Sequence, residues 1–163
     1  MPKLVFIAAV LVLTLLPRAA TAQTKVEIAA RLIGYDLQQA VGGSSEVTPL
    51  PRINLKSGAE GRIELAREYR YPKEYNKDGK PTILRTAYIG IRIPIYVRET
   101  NGVVTYLLRV ELCEREDPAN PLSPVLTTTN SFQVQRPLDK AFTLEVKAPR
   151  GRTARVEFLT TRL

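Results

Sequence analysis

The fold of this chain is decided by residues 87–112, which read AYIGIRIPIYVRETNGVVTYLLRVEL. Apolar residues occupy every second position before and after Asn101-Gly102, and this period of two is typical of strands with one buried face. Both Asn and Gly tolerate the positive φ angles of a type I′ turn, so the dipeptide predicts a tight hairpin. Pro94 has no N–H to donate, which predicts that its strand lies at a sheet edge or contains a bulge.

The same period recurs before this hairpin. Alternation in Lys25–Ile33 predicts a strand whose apolar face consists of Val26, Ile28, Ala30 and Leu32. A Ser57-Gly58 turn lies between Leu50–Leu55 and Gly61–Tyr71, so these two runs are predicted to form another hairpin.

The remaining elements are shorter. A closing hairpin is predicted at Phe142–Phe158, with Pro149-Arg150-Gly151 in its turn. The other predictions are a short strand at Ser131–Gln135, one helical turn at Asp36–Ala40, a flexible connection at Gly42–Ser45, and exposed loops at Tyr71–Pro81 and Glu114–Pro124. The predicted fold class is therefore mainly β: an antiparallel β-sandwich or layered sheet of about six to eight strands with little helix.

The first 22 residues have the composition of a secretory signal. Lys3 precedes the apolar run Leu4–Leu16, and small residues follow at Ala20 and Ala22. The run is shorter than the roughly 20 residues that span a bilayer, which favours a cleaved signal over an uncleaved anchor. The predicted domains are a signal peptide, 1–22, and a single β-rich domain, 23–163, with no helical membrane span after cleavage. We expect an exported protein, in the periplasm, at the outer-membrane periphery or outside the cell.

The composition excludes several classes of enzyme. The chain contains no histidine and a single cysteine, Cys113, so a histidine-activated nucleophile and a structural zinc site are not expected. Glu64 and Glu68 would lie ~13 Å apart on one face of a strand, with arginines between them, which favours solvated ion pairs over a catalytic carboxylate pair. We predict a protein that is not an enzyme and has no cofactor, metal site or catalytic residue, with Cys113 buried and inert.

A basic and aromatic cluster is the first candidate interaction site. With the signal removed, 22 basic residues face 16 acidic ones, a net charge of +6. The cluster consists of Arg67, Tyr69, Arg70, Tyr71, Lys73 and Tyr75. Such a mixture can bind anionic lipid, polysaccharide or nucleic acid. For an exported protein nucleic acid is disfavoured, and the alternative is a strand whose solvated face runs into a surface loop.

One long segment resembles a known family. Val47–Tyr75 contains a Pro51-Arg52 strand, the Ser57-Gly58 turn, an alternating strand and a Tyr71-Pro72 loop. In this order they resemble the core of bacterial secretins, the outer-membrane channel subunits of type II and type III secretion and of type IV pili. The segment is most similar to divergent secretin-like proteins of verrucomicrobia and planctomycetes.

The resemblance implies a role in an envelope assembly. Secretins carry ring-building periplasmic domains before the core and a glycine-rich ending after it, and we expect neither here. The expected protein is a secretin-like structural or accessory component that pairs strand edges with copies of itself or with a larger secretin. Pro94 and the closing hairpin are the candidate contact elements. The alternative is a soluble periplasmic module that binds an anionic envelope ligand.

Overall fold

The computed structural model describes residues 24–37 and 46–163. Nine strands and no α-helix are present in these ranges, which confirms the mainly β fold class. The strands are β1 (Lys25–Ile33), β2 (Val47–Pro49), β3 (Ile53–Lys56), β4 (Ala59–Tyr75), β5 (Pro81–Thr100), β6 (Val103–Arg115), β7 (Val125–Pro137), β8 (Phe142–Lys147) and β9 (Thr153–Arg162). The predicted signal peptide, the Gly42–Ser45 connection and most of the predicted helical turn lie outside the described residues.

Two antiparallel sheets pack face to face. In the five-stranded sheet, β1 pairs with β9, and β9 pairs with β8. The other edge of β1 pairs with β3 over its first half and with β2 at its end. The four-stranded sheet has the order β4-β5-β6-β7.

The core lies between the sheets and is built by the predicted alternation. Its fully buried members include Val26 and Leu32 from one sheet and Ile91 and Ile93 from the other. Side chains at every second position of a strand point to the same face, so one face of each sheet is apolar. The core also contains a hydrogen bond between the sheets, in which the Tyr106 hydroxyl donates to Thr160 Oγ1 over 2.7 Å.

The prediction that β3 and β4 form a hairpin was wrong. β3 pairs with β1 in one sheet, whereas β4 pairs with β5 in the other. The turn between them is held by both sheets, because the Ser57 N–H donates to the Thr24 carbonyl (2.8 Å) and the Gly58 N–H donates to the Val97 carbonyl (2.8 Å). The alternating pattern predicts two strands but does not specify that they pair with each other.

The Asn101-Gly102 hairpin is confirmed, but neither an edge strand nor a bulge with a register shift is found at Pro94. Asn101 and Gly102 have φ angles of 52° and 79°, as a type I′ turn requires. Pro94 lies in β5, which is an interior strand because it pairs with β4 on one side and β6 on the other. Its missing N–H is accommodated without an edge, because the β5–β6 pairing is interrupted there and resumes at Ile95.

Three strands, β4, β5 and β7, are longer than the sequence indicated. The predicted loop Tyr71–Pro81 is confirmed only at residues 76–80, because β4 continues to Tyr75 and β5 begins at Pro81. The predicted short strand Ser131–Gln135 lies in the second half of the 13-residue β7. The predicted loop Glu114–Pro124 is confirmed from residue 116 onward, and the closing hairpin is confirmed as β8 and β9.

Polar contacts join the sheets at both ends of the sandwich. At one end the buried Glu114 carboxylate accepts the Tyr35 hydroxyl (2.8 Å) and contacts the guanidinium groups of Arg150 and Arg152. At the other end the Glu99 carboxylate accepts the Gly102 N–H (2.7 Å) and pairs with Arg162 (2.9 Å). The Glu114 end is also the end at which β4 and β5 leave the sandwich.

Candidate functional site

The most distinctive feature of the molecule is a hairpin that projects from the sandwich. β5 pairs with β6 only from Gly90 onward, whereas its pairing with β4 continues back to Pro81. The nine residue steps from Pro81 to Gly90 correspond to about 30 Å of strand. Residues 66–75 and 81–89 therefore form a two-stranded ribbon, and we call this ribbon with its connection, residues 66–89, the projecting hairpin.

Gly90 lies where the projecting hairpin begins, and its backbone requires glycine. Its φ angle is 133°, and a Cβ built on it would lie 2.3 Å from the Leu65 carbonyl oxygen of β4. Because Gly90 is paired with Ala66, the two backbones approach closely as the ribbon leaves the sheet.

Tyr69 attaches the projecting hairpin to the loop after β6. Its hydroxyl lies 2.6 Å from the Pro121 carbonyl oxygen and 3.1 Å from that of Ser123, and it can donate to either. The ring stacks on Tyr71 with centroids 6.0 Å apart. A two-stranded ribbon has little stability by itself, so this contact with residues 116–124 braces it.

The predicted basic and aromatic cluster is divided between the two faces of this hairpin. Arg67, Tyr69 and Tyr71 share the face that continues the core side, whereas Arg70 lies on the opposite face and pairs with Glu68 (3.0 Å). Near the tip, the Lys73 ammonium lies 3.8 Å from the Glu74 carboxylate, and Tyr75 is exposed. The period of a strand thus separates residues that are consecutive in sequence, and Pro94 lies apart from them within the sandwich.

Sequence reasoning missed part of this surface. Lys77, Lys80 and Arg85 add positive charge to the hairpin, and Ile83 and Leu84 add exposed apolar area. The connection between β4 and β5 has only five residues, and the Asn76 side chain accepts the N–H groups of Asp78 (3.0 Å) and Lys80 (2.8 Å). The Asp78-Gly79 dipeptide was the signal for this short turn, since Asp-Gly favours hairpins.

Among the described residues, no strand pairs with the outer edge of β4 or of β7, so the four-stranded sheet has two open edges. The β8 edge of the other sheet is different, because Asn130 of β7 contacts it. The Asn130 side chain donates to the Lys147 carbonyl (2.8 Å) and accepts the Lys147 N–H (2.9 Å). A neighbouring strand cannot pair with Lys147 unless these bonds break.

Ion pairs cover the outer face of the four-stranded sheet, which is turned away from the core. Glu64 pairs with Arg92 (3.5 Å), which lies 3.9 Å from Glu111, and Glu111 pairs with Arg109 (2.8 Å). Glu64 thus lies in an ion-pair network. In the described part of the chain, no group of three His, Cys, Asp or Glu side chains is placed to hold a metal ion.

Burial raises the pKa of the Cys113 thiol, and the buried location predicted for it is confirmed. A raised thiol pKa lowers the thiolate fraction and hence the reactivity of the sulfur. Within residues 24–37 and 46–163, no helix has the length and apolar character that crossing a membrane requires.

Comparison with known proteins gives similarity of fold but not of sequence. No protein-family model matches the chain, and no curated protein matches it. The solved structures similar to it include InvG, the secretin of the Salmonella SPI-1 type III secretion injectisome, with a TM-score of 0.54 and 12% identity over 87% of this chain. GspD, the type II secretin of enteropathogenic Escherichia coli, has a TM-score of 0.56 and 10% identity over 87% of this chain. XcpQ, the type II secretion secretin of Pseudomonas aeruginosa, has a TM-score of 0.51 and 10% identity over 86%.

The chain spans 65% of the InvG chain, 70% of the GspD chain and 59% of the XcpQ chain. It therefore corresponds to a part of each of these secretins. At 10–12% identity the similarity concerns the fold alone. The two sheets of this protein have the fold found in secretins.

Proposed function

We propose that this chain is a non-enzymatic, secretin-like structural or accessory component of a secretion or pilus assembly. It is exported by its signal peptide, residues 1–22, and residues 23–163 act as one domain in the periplasm or at the outer-membrane periphery. The observation that carries the proposal is the four-stranded sheet with open edges at β4 and β7, in a fold shared with secretins.

The geometry of the edges supports pairing between copies. The four strands alternate in direction, so β4 and β7 run in opposite senses. Placing β4 of one copy beside β7 of the next therefore continues the antiparallel sheet. Such a heterologous contact produces a closed ring when the rotation between copies closes. The edge strands have 17 and 13 residues, so each offers a long row of backbone groups.

A larger envelope protein is the other partner that fits these edges. InvG has been solved together with PrgH and PrgK in the injectisome basal body. By analogy, β4 or β7 of this chain would pair with the edge of a larger secretin.

The native mass of the chain beginning at Gln23 tests the proposal. Light scattering behind a sizing column, with and without mild detergent, should show a large uniform oligomer. A monomer that also captures no envelope protein after crosslinking would contradict it.

Disulfide crosslinking between copies tests which edges meet. All variants carry Cys113→Ala, which removes the native thiol, and Arg62→Cys on the outer face of β4. Each also carries one cysteine on the outer face of β7, in place of Thr127, Thr129, Ser131 or Gln133. We expect dimers linked by disulfides to form at one of these positions, because strand pairing has a single register. Leu159→Cys, on β9 of the other sheet, replaces the β7 cysteine in the control. Equal crosslinking in the control would mean that the edges do not meet specifically.

A second candidate function is the binding of an anionic envelope ligand. The basic residues on the projecting hairpin favour it, because several of them lie near its tip and away from the acids of the sandwich. Retention on an anionic matrix should fall as salt is added, and retention that salt does not change would contradict an electrostatic origin.

A further inference from the structure

We propose that the end of the projecting hairpin, together with the loop of residues 116–124, binds the surface of a lipid bilayer that contains anionic headgroups. This inference rests on the second candidate function and names its ligand. It is independent of the edge pairing through which copies would assemble.

Exposed apolar side chains are concentrated on this hairpin and on the loop beside it. Ten large hydrophobic residues are exposed in the described part of the chain, and five of them lie on the projecting hairpin or on the loop that Tyr69 holds against it. Tyr75 (53% exposed), Ile83 (44%) and Leu84 (56%) lie toward the tip, and Leu122 (48%) lies on the loop. Tyr88 (38%) lies near the base, where the Arg92 guanidinium is 4.4 Å from its ring centroid. The other five are distributed over the remainder of the protein. Exposed apolar groups concentrated in one place mark a contact surface.

Positive charge accompanies these apolar groups. Residues 67–88 contain six basic and three acidic side chains, a net charge of +3. Two of the bases, Arg70 and Lys73, lie beside acids of the same hairpin. Lys77, Lys80 and Arg85 are exposed and form no salt bridge with any described residue. Such basic groups are attracted to anionic headgroups.

The combination fits an interface better than it fits a soluble polyanion. Tyrosine rings favour the headgroup region, where one end of the ring is apolar and the hydroxyl is solvated. Aliphatic side chains such as Ile83 and Leu84 gain free energy by entering the acyl boundary, whereas a polysaccharide would leave them in water. On the outer face of the four-stranded sheet, ion pairs join Glu64, Arg92 and Glu111, so the charges there are largely paired.

A single tryptophan can report this contact, because the chain contains none. The probe is Leu84→Trp, and the matched control is Leu107→Trp, since Leu107 is 45% exposed on the sandwich. Each variant is mixed with vesicles of phosphatidylglycerol and phosphatidylethanolamine, or with vesicles of phosphatidylcholine alone. We expect the emission of Leu84→Trp to move to shorter wavelength, and to be quenched by brominated lipid, only with the anionic vesicles. Unchanged emission, or equal changes in both variants, would overturn the proposal.

Charge variants measure the electrostatic part. The double variant Lys77→Gln/Lys80→Gln should bind the anionic vesicles about 30-fold more weakly in a flotation assay. The control, Lys56→Gln/Lys140→Gln, removes the same charge from exposed positions at the opposite end and should bind as the unchanged protein does. Equal loss in both double variants would mean that only net charge acts and would overturn the assignment of the hairpin. Soluble anionic polysaccharide can also be added as a competitor in the flotation assay. If it releases the protein from the vesicles, and the vesicles leave the emission of Leu84→Trp unchanged, the ligand is polysaccharide and the lipid proposal is wrong.

These results can be separated from the test of assembly. Light scattering without lipid measures copy number, and flotation measures lipid contact at any copy number. A monomer that floats with anionic vesicles would contradict edge pairing and support the lipid contact. An oligomer that does not float with the vesicles would support edge pairing and contradict the lipid contact.

Discussion

Replacing Gly90 by alanine tests how the projecting hairpin leaves the sandwich. Gly90 has a φ angle of 133°, which residues with a Cβ rarely adopt, and we expect this backbone strain to lower the free energy of unfolding by about 1–3 kcal/mol. The added Cβ would lie 2.3 Å from the Leu65 carbonyl oxygen and 2.7 Å from Ala66 Cα. Both are backbone atoms of the paired strand, so relieving the contact requires the strands to separate, at a further cost of about 1–3 kcal/mol.

The expected loss is therefore about 4 kcal/mol, a large fraction of the 5–15 kcal/mol that stabilises a typical domain. Urea denaturation measures it. With a slope of about 2 kcal/mol per molar, the midpoint should fall by about 2 M.

Two other glycines separate the two causes. Gly79 has a φ angle of 74°, and a Cβ added there would have nothing within 4 Å, so Gly79→Ala should show only the backbone strain, about 1 kcal/mol. At Gly61 the added Cβ would lie 2.7 Å from Leu55 Cδ2 without a positive φ, and this flexible side chain can move aside. If Gly90→Ala costs no more than Gly79→Ala, the close approach of β4 and β5 does not constrain the hairpin.

Four further predictions concern buried polar groups and titration. Tyr106→Phe leaves Thr160 Oγ1 without its buried hydrogen-bond partner and should lower the free energy of unfolding by about 1–3 kcal/mol, as measured by urea denaturation. Adding Thr160→Val should recover part of this loss, and a double variant no more stable than Tyr106→Phe would contradict the argument. Burial raises the pKa of the Cys113 thiol, so iodoacetamide at pH 8 should modify it only after unfolding, and rapid labelling of the folded protein would disagree. Burial, followed by the hydrogen bond to the Glu114 carboxylate, raises the pKa of the Tyr35 hydroxyl, so the folded state keeps this proton at a pH at which the unfolded state loses it. The free energy of unfolding should therefore fall as the pH rises above about 10, and it should fall less in Tyr35→Phe. The hydrogen bond from the Gly102 N–H lowers the pKa of the Glu99 carboxyl below its ordinary value of 4.5, so the stability that this carboxylate contributes should be lost as the pH falls below 4.5. Acid titrations followed by circular dichroism should show a weaker pH dependence in Glu99→Gln.

Local patterns in the sequence predicted much of the fold. The alternation in Lys25–Ile33 predicted β1 with its observed bounds and its buried face. Asn101-Gly102 predicted the β5–β6 turn, because a type I′ turn depends on the two residues that form it. The candidate site was predicted only in part, because turn-forming residues in 72–81 obscured the continuation of β4 and β5 into the projecting hairpin.

The choice of strand partners was the part that local patterns did not contain. Period two assigns a side chain to a face, but many strands offer the same apolar face, so β3 can pair with β1 as readily as with β4. The same limit applies to Pro94, whose missing N–H is compatible with an edge or with an interruption inside a sheet. Packing of the whole chain decides between these arrangements.

The sequence by itself determined the fold class, the faces of the strands and the absence of histidine chemistry, because these depend on residue type and spacing alone. Only the tertiary structure decided that β3 and β4 belong to different sheets, that β4 and β7 form open edges, and that Leu122 lies at the same end as Ile83 and Leu84. The physical reason is that these features depend on contacts between residues that are distant in sequence. Their free energy comes from burying both sheets against one core, which no local segment contains.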